Sequence, residues 1–125
     1  MSRLQGMLLV VVVALLAALV QLPAAAAGTR YTVSWNYPYS RTSFANWNKG
    51  TSYVVGDSIQ FVYNAEAHNV VRVNKQQYDL CDSAGAVTHT DGATVFNLGR
   101  PGRYFFMCSI PGHCEAGMKL ALQVI

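Results

Sequence analysis

Hydrophobic and polar residues alternate along most of the chain from residue 30 onward, and this period of two predicts β-strands. In the segment RYTVSW, for example, one face carries Tyr31, Val33 and Trp35. Turn residues in GD, DGA and GRPG separate short segments of this kind, whereas residues 40–50 lack clean alternation and are interpreted as a loop or a short helix. The succession predicts an all-β fold, a sandwich or a barrel. The other predicted strands are DSIQFVYN, HNVVRV, ATVFNLG, GRYFFMC and MKLALQV.

The first 27 residues follow a different pattern. Arg3 precedes an unbroken apolar run of fourteen residues, residues 7–20, and small residues follow in QLPAAAAG. A positive start, a short apolar run and an Ala-rich end are typical of a secretory signal peptide. A membrane anchor normally needs about twenty apolar residues. We therefore expect cleavage near Ala27 and a secreted, extracellular domain formed by residues 28–125.

The charge of that domain is small. Without Arg3 it has eight basic and six acidic residues, a formal charge of +2. It lacks the dense Lys/Arg runs of nucleic-acid-binding proteins, and it lacks a second apolar segment that would span a membrane or direct a GPI anchor. A domain of about 100 residues builds only a modest core, so a disulfide or a metal would add to its stability.

Three cysteines are present, Cys81, Cys108 and Cys114. An odd number leaves one thiol outside any internal disulfide, and an oxidising compartment rarely tolerates an unprotected thiol. Two of the cysteines lie in CSIPGHCEAGM, residues 108–118, together with His113 and Met118. A cysteine pair this close is compatible with a disulfide, a zinc half-site or a redox dithiol. A buried or intermolecularly paired cysteine is the simpler alternative.

The spacing within this segment favours a metal site. His113 follows Cys108 by five residues, and Met118 follows His113 by five. A strand that ends at Cys108 and turns through SIPG brings Cys108 and His113 to one centre, since Pro-Gly is turn chemistry. Met118 begins the next strand on its inward-facing side. One Cys, two His and a distant Met form the ligand set of a blue-copper electron-transfer site.

The second histidine of such a set must come from elsewhere in the chain. His68 opens HNVV at a strand start, whereas His89 lies in VTHTDGA, a polar turn where exposure is expected. A single His beside a strand is more often a structural residue than a ligand, but a Cys-His-Met loop that needs one more imidazole reverses that preference. We therefore select His68.

If Cys108 binds the metal, Cys81 and Cys114 are left to pair. Their bridge would close a separation of 33 residues, which contributes about 3–4 kcal/mol in the loop-entropy account of disulfides. The bridge would also hold His113, which is next to Cys114.

With these motifs the chain resembles the phytocyanins, the plant branch of the cupredoxins, and among them the plantacyanin or basic blue protein branch. The resemblance covers essentially residues 28–125. It rests on YTVSW, Y-x-V-GD-x-I-x-F-x-YN and HNVV, and most specifically on YDLC and F-x-CSIPGHCEAGMKLALQV. It implies a two-sheet Greek-key β-sandwich or barrel with one or two short helical turns. The family's copper ligands fall on His68, Cys108, His113 and Met118, and its disulfide falls on Cys81 and Cys114.

The resemblance also separates this chain from other phytocyanins. Stellacyanin-like members have Gln where this chain has Met118, and early nodulin-like relatives lack copper ligands. Uclacyanin-like and stellacyanin-like members often add glycosylated Pro/Ser-rich tails with a GPI signal, which this sequence does not show. The implied cofactor is one copper ion.

The expected function is one-electron transfer by a secreted type 1 (blue) copper protein through Cu(I)/Cu(II) cycling, and not enzymatic catalysis. Four protein ligands leave no evident open position for a substrate, unlike catalytic metal sites. Cys108 and His113 as a nucleophile–base pair are the enzymatic alternative, which needs an orienting residue and a cleft. The other alternative is an extracellular cell-wall interaction or signalling protein in which copper is structural or incidental. Zinc ranks below copper because a thioether is a poor zinc ligand.

The basic residues of the second half suggest anionic partners. The expected partners are an unidentified extracellular electron donor or acceptor and an anionic cell-wall polysaccharide, with an acidic redox protein as another candidate. Binding of this kind weakens with salt, because exposed charges are screened over about 10 Å at 0.1 M. At a charge of +2, a merely solvated surface is the alternative. We expect a monomer located in the apoplast or cell wall. The basic residues concerned are Arg72, Lys75, Arg100, Arg103 and Lys119.

Overall fold

The computed structural model describes residues 28–125, which contain seven strands and one short helix joined by turns and loops. The predicted signal peptide, residues 1–27, lies outside the described residues. Within residues 28–125, no helix has the length and apolar character needed to cross a membrane. The elements are β1 (Arg30–Ser34), β2 (Ser58–Val62), β3 (Val70–Val73), helix α1 (Lys75–Leu80), β4 (Thr88–His89), β5 (Ala93–Asn97), β6 (Gly102–Met107) and β7 (Lys119–Val124).

The strands form two sheets, which confirms the predicted all-β sandwich. One sheet has the order β1-β2-β5, with β1 parallel to β2, and the other has the order β4-β3-β6-β7 and is antiparallel throughout. The two sheets do not close into a barrel. Residues two apart along each strand point to the same face, and the inward positions supply the main core. Its fully buried members include Val33, Trp35, Ile59, Phe61, Val70, Phe106 and Val124.

A second, smaller core covers the outer face of the larger sheet. Val71 and Met107 lie on that face and pack with Tyr78 of α1. Because β6 is covered on both faces, its last four residues are all buried. This explains why GRYFFMC shows a continuous apolar run and not a clean alternation.

Helix α1 is held mainly by its ends. The Asn74 side chain accepts from the Gln77 N–H at 2.8 Å, and the Gln77 side chain accepts from the Asn74 N–H at 3.1 Å, which forms a capping box. The helix ends at Cys81, whose φ of 52° is left-handed. Residues 40–50, which we expected to form a loop or a short helix, form a series of turns.

Candidate metal centre

The candidate ligands lie at one end of the sandwich, where β3 begins and β6 ends. His68 lies two residues before β3, and Cys108 directly follows β6. Since β3 and β6 are antiparallel neighbours, with Val71 opposite Met107, the start of one strand lies beside the end of the other. The topology therefore brings together residues that are 40 positions apart in the sequence.

The loop between β6 and β7 is closed on itself. The Cys108 N–H donates to the Met118 carbonyl at 3.0 Å, and the Met118 N–H donates to the His113 carbonyl at 2.9 Å. Gly117, with φ of 107°, permits the last turn, and a Cβ there would lie 2.5 Å from the Arg41 carbonyl oxygen. The backbone thus fixes the three loop residues Cys108, His113 and Met118 relative to one another before any metal binds.

Three of the predicted ligands form a compact donor cluster. The Nδ1 atoms of His68 and His113 are 3.3 Å apart, and the Cys108 Sγ lies 3.5 Å from the His113 Nδ1. All three donor atoms lie within 4.8 Å of one another. Within the described residues, this is the only group of three or more His, Cys, Asp or Glu side chains placed to hold a metal ion.

The donor spacings fit a metal ion. Two nitrogens about 2.0–2.1 Å from one ion at a roughly tetrahedral angle lie about 3.3 Å apart, and a thiolate sulfur bound at about 2.3 Å lies about 3.5 Å from such a nitrogen. The distance between the two Nδ1 atoms and that from the Cys108 Sγ to the His113 Nδ1 agree with these values, and all three donor atoms lie within 4.8 Å of one another. Two of the three donor pairs therefore have the spacing of metal ligands.

Met118, the fourth predicted ligand, lies in the core close to the cluster. Its side chain is fully buried in the main core together with Cys108. It directly precedes β7, and the apolar alternation predicted from it is confirmed, since Leu120, Leu122 and Val124 are also buried. A thioether at this position is a neutral, soft donor on the protein side of the cluster.

Burial controls the protonation of the cluster. Desolvation raises the pKa of the Cys108 thiol, and hydrogen bonds from the backbone of Asn69 and Ile110 only partly oppose this. Desolvation, with a smaller contribution from His113, lowers the pKa of His68. A buried site without a cation thus favours a neutral thiol and a neutral imidazole. A bound cation deprotonates a ligating thiol outright, whereas a neutral imidazole binds the cation without losing a proton.

The structure joins Cys81 and Cys114 in a disulfide, as the sequence predicts. Their Cα atoms are 5.7 Å apart, and Cys108 is left as a buried free thiol. The bridge connects the end of α1 to the residue after His113. Lys119 adds a second connection, because its Nζ donates to the Tyr78 carbonyl at 3.0 Å and lies 4.4 Å from the Tyr78 ring centroid.

His89 lies away from the cluster, in agreement with the choice of His68. It lies in β4 and not in an exposed turn, its carbonyl accepts from the Tyr63 hydroxyl at 2.9 Å, and its ring packs edge-on against Phe96. It is partly buried, so the expectation of full exposure was wrong. Pairing of β4 with β3 is the physical reason.

Two residues beside the cluster were not singled out from the sequence. Asn69 is buried and hydrogen-bonds Ser109, the residue after Cys108. Tyr37 is 57% exposed and its ring meets the His113 ring edge-on, with centroids 5.2 Å apart. A polar residue directly after a candidate ligand at a strand start, as in HNVV, is the signal that indicates Asn69. No local pattern indicates Tyr37, because its role depends on the fold.

Comparison with known proteins places this arrangement in a defined group. Residues 35–118 match the sequence pattern of the family described as Plastocyanin-like domain. The chain is 38% identical over 128 residues to Uclacyanin-2 of Arabidopsis thaliana, and this match covers 100% of the chain and 61% of the relative. It is 40% identical over 81 residues to the Basic blue protein of Cucumis sativus, covering 64% of the chain and 83% of the relative. The chain thus spans about three fifths of the uclacyanin and most of the basic blue protein.

A solved structure agrees with the fold as well as the sequence. The structure titled cucumber basic protein, a blue copper protein, superimposes with a TM-score of 0.69 and 34% sequence identity. The superposition covers 78% of this chain and 100% of the cucumber chain.

Proposed function

The chain belongs to the phytocyanin family of blue copper proteins, and we propose that it carries single electrons with one copper ion held by His68, Cys108, His113 and Met118. The observation that carries the proposal is the cluster of two imidazole nitrogens and one thiol sulfur, with the buried Met118 beside it. Copper in such a site supplies a one-electron Cu(I)/Cu(II) couple. We further propose that the protein is secreted, and that it is plantacyanin-like because Met118 would supply a thioether ligand to the copper.

The donor types select copper among the divalent metals. A trigonal set of two imidazoles and one thiolate with a weak axial thioether suits copper, whereas a thioether is a poor ligand for zinc. The four side chains would fill the positions of such a site, and the copper would then have no open position for a substrate. Electron carriage requires only this closed arrangement, whereas metal-assisted catalysis requires an open position.

The surroundings of the cluster hold the ligands in one geometry. Cys108 and Met118 are fully buried and are joined by a backbone hydrogen bond. The Cys81–Cys114 disulfide anchors the loop next to His113. Packed interiors resist small displacements, so the side chains stay in place when the charge at the centre changes by one. Little rearrangement is then needed for each electron gained or lost.

His113 provides the exposed edge of the site. His113 and His68 are partly exposed, whereas Cys108 and Met118 have no contact with solvent. The ring of Tyr37 covers one side of His113 and is itself largely exposed. A redox partner that docks on this end approaches an imidazole ring, and the thiolate stays shielded from water. We propose the edge of His113 as the point where electrons enter and leave.

An absorption titration with cupric ion tests the function. A thiolate bound to cupric copper absorbs strongly in the visible, so the purified protein should turn blue with one equivalent, and ascorbate should bleach it reversibly. Cys108→Ser and His68→Gln should lose the band, while the matched variant His89→Gln keeps it because His89 lies outside the cluster. An absent band in the parent protein, or an equal loss with His89→Gln, would contradict the proposal.

A further inference from the structure

A basic cleft lies at the opposite end of the larger sheet from the metal donors. Two surface clefts, of about 520 and 440 Å³, lie side by side where β3 ends and β6 begins, and Arg72 and Arg103 line both. Arg100 lines the second cleft and Lys75 the first. Arg103 is five residues from Cys108 along the strand, a distance of about 16 Å at about 3.3 Å per residue. The cleft is therefore separate from the candidate metal centre.

The three arginines of the cleft have no anionic partner within residues 28–125. No Asp or Glu lines either cleft, and the only ion pair among the described residues joins Lys75 to Asp79. Arg72, Arg100 and Arg103 donate no side-chain hydrogen bond to another described residue, whereas Arg30 donates to Ser58. Cations that lie close together without a counter-charge repel one another. The cleft thus leaves three guanidinium groups available to an external anion.

Aromatic residues hold these arginines in place. The Arg72 guanidinium lies 4.4 Å from the centroid of the Tyr104 ring, and that of Arg103 lies 5.1 Å from the centroid of the Phe105 ring. The Tyr104 hydroxyl donates to the Arg100 carbonyl at 2.9 Å and accepts from the Arg100 N–H at 3.2 Å. Stacking covers one face of a guanidinium but leaves its N–H edge free to bind a carboxylate with two hydrogen bonds.

The shape and lining of the cleft define the ligand. A small anion needs only one guanidinium fork, whereas two adjacent clefts that share Arg72 and Arg103 suit a chain that carries a carboxylate at each repeat. The amide side chain of Asn97 lines the second cleft, and amides bind hydroxyl groups; Asn74 and Gln77, whose side chains form the capping box of α1, line the first. We propose that the two adjacent clefts together bind an acidic polysaccharide with one carboxylate per sugar unit, a polyuronate.

Calorimetric titration of the purified protein with an oligogalacturonate tests this proposal. The triple variant Arg72→Gln/Arg100→Gln/Arg103→Gln should bind at least about tenfold more weakly, because each charge-assisted contact is stronger than a neutral one and about 1.4 kcal/mol is tenfold in affinity. The matched control Arg30→Gln/Arg41→Gln/Lys49→Gln removes the same charge from exposed residues elsewhere and should weaken binding less than about threefold, by long-range charge alone.

A charge-conserving variant tests the planar guanidinium groups separately from their charge, with less risk of unfolding the protein. Arg72→Lys/Arg103→Lys retains both charges and the aliphatic stems but lacks the planar fork, so it should also weaken binding of the oligogalacturonate. Thermal unfolding verifies that each variant is folded. Polyglutamate and the methyl-esterified oligomer serve as competitors and should bind much more weakly than the oligogalacturonate. The proposal would be overturned if the parent protein does not bind the oligogalacturonate, or if the cleft triple and the control triple lose equal affinity. It would also be overturned if the Lys variant binds as tightly as the parent, or if either competitor binds as tightly as the oligogalacturonate.

Discussion

The side chain of Asn69 hydrogen-bonds Ser109 at two points. Its Oδ1 accepts from the Ser109 N–H at 2.8 Å, and its Nδ2 donates to the Ser109 hydroxyl at 2.9 Å. Asn69 follows His68, and Ser109 follows Cys108, so this pair joins the two segments that supply the first two candidate ligands. The Asn69 carbonyl also accepts from the Trp35 indole N–H at 2.9 Å, which ties the pair to the core. The chain thus sets the separation of His68 and Cys108 without a metal.

Asn69→Ala tests this bridge. The substitution leaves the Ser109 N–H without its partner, and we expect the free energy of unfolding of the metal-free protein to fall by about 1–3 kcal/mol. Ser109→Ala removes only the hydroxyl bond and keeps the bond to the Ser109 N–H, so it should cost about 0.5–1.5 kcal/mol. Urea unfolding followed by tryptophan fluorescence measures both values.

An exposed asparagine provides the control for that comparison. The Asn64 side chain accepts from the Glu66 N–H at 3.0 Å in an exposed turn, where water replaces a lost hydrogen bond. Asn64→Ala should therefore cost less than Asn69→Ala. Copper affinity should fall only in Asn69→Ala, because only that substitution removes the hydrogen bonds that fix the position of His68 relative to Cys108. Equal effects of the two alanine substitutions on copper affinity would show that Asn69 does not position the ligands.

We expect loss of the disulfide to lower the free energy of unfolding strongly and to reduce the affinity for copper without abolishing it. Replacing Cys81 and Cys114 together with Ala should lower the free energy of unfolding by about 3–4 kcal/mol, because the bridge closes a long loop in the unfolded chain. Helix α1 has no buried residue, so hydrogen exchange of its amides should increase most. The loop hydrogen bonds around Cys108 remain, and copper binding should persist with lower affinity. A stability equal to that of the parent would refute this role.

Asp91 is expected to give a local acid dependence of stability. Its Oδ1 accepts from the Thr94 hydroxyl at 2.6 Å and from the Ala93 N–H at 3.1 Å, and these bonds lower the pKa of Asp91 below its ordinary value of 3.8. Because the folded state holds the carboxylate more strongly than the unfolded state, its contribution is present above pH 3.8 and is lost as the pH falls through the lower, folded-state pKa.

Asp91→Asn removes that contribution but keeps an acceptor oxygen. The stability difference between the parent and Asp91→Asn should therefore be constant near neutrality and shrink at acid pH. Asp82→Asn is the control, since Asp82 makes a single bond of this kind, to the Ala84 N–H at 3.0 Å. Denaturant titrations at a series of pH values measure both differences. A difference for Asp91→Asn that stays constant into the acid range would exclude this role for the carboxylate.

The sequence predicts the parts of this fold that depend on local periodicity. All six predicted strands are present, because each has a buried inner face, although β6 is buried on both faces and shows a continuous apolar run. Strand β4 was not predicted since it has only two residues; one or two short helical turns were expected, but the position of α1 was not predicted, since it has six residues and none of them is fully buried. Both are stabilised from outside themselves, β4 by its pairing with β3 and α1 by its caps and the disulfide.

For the candidate site too, the sequence predicts residues that belong to a local motif and misses those that only the fold brings together. Cys108, His113 and Met118 were predicted from one short loop, and His68 from the one ligand that this loop still needed. Asn69 was not predicted, because its partner Ser109 is 40 positions away and is brought near only by the pairing of β3 with β6. The residues that position the ligands are therefore harder to predict from a local motif than the ligands themselves, because their contacts arise only when the strands pair.

Met118 is expected to set the reduction potential of the site. A thioether is soft and neutral and favours cuprous copper, whereas a harder amide oxygen favours the cupric form. Met118→Gln should therefore keep the blue colour, since Cys108 is unchanged, and lower the potential; Met118→Leu should remove the ligand and raise it. The axial ligand is a recognised determinant of blue-copper potentials, and a shift of about 59 mV is tenfold in a one-electron equilibrium. Voltammetry of the copper-loaded variants measures the shift.

Packing alone makes the opposite prediction. Met118 is fully buried, so as a core residue it would tolerate Leu at a cost below about 1.5 kcal/mol, and Gln would destabilise by about 1–3 kcal/mol. Neither change would then move the potential. Met107, which is 1% exposed and lies in the second core, gives the matched control: Met107→Leu and Met107→Gln should reproduce the stability effects without shifting the potential. If the Met118 variants behave like the Met107 variants, Met118 is a core residue and the site has three protein ligands.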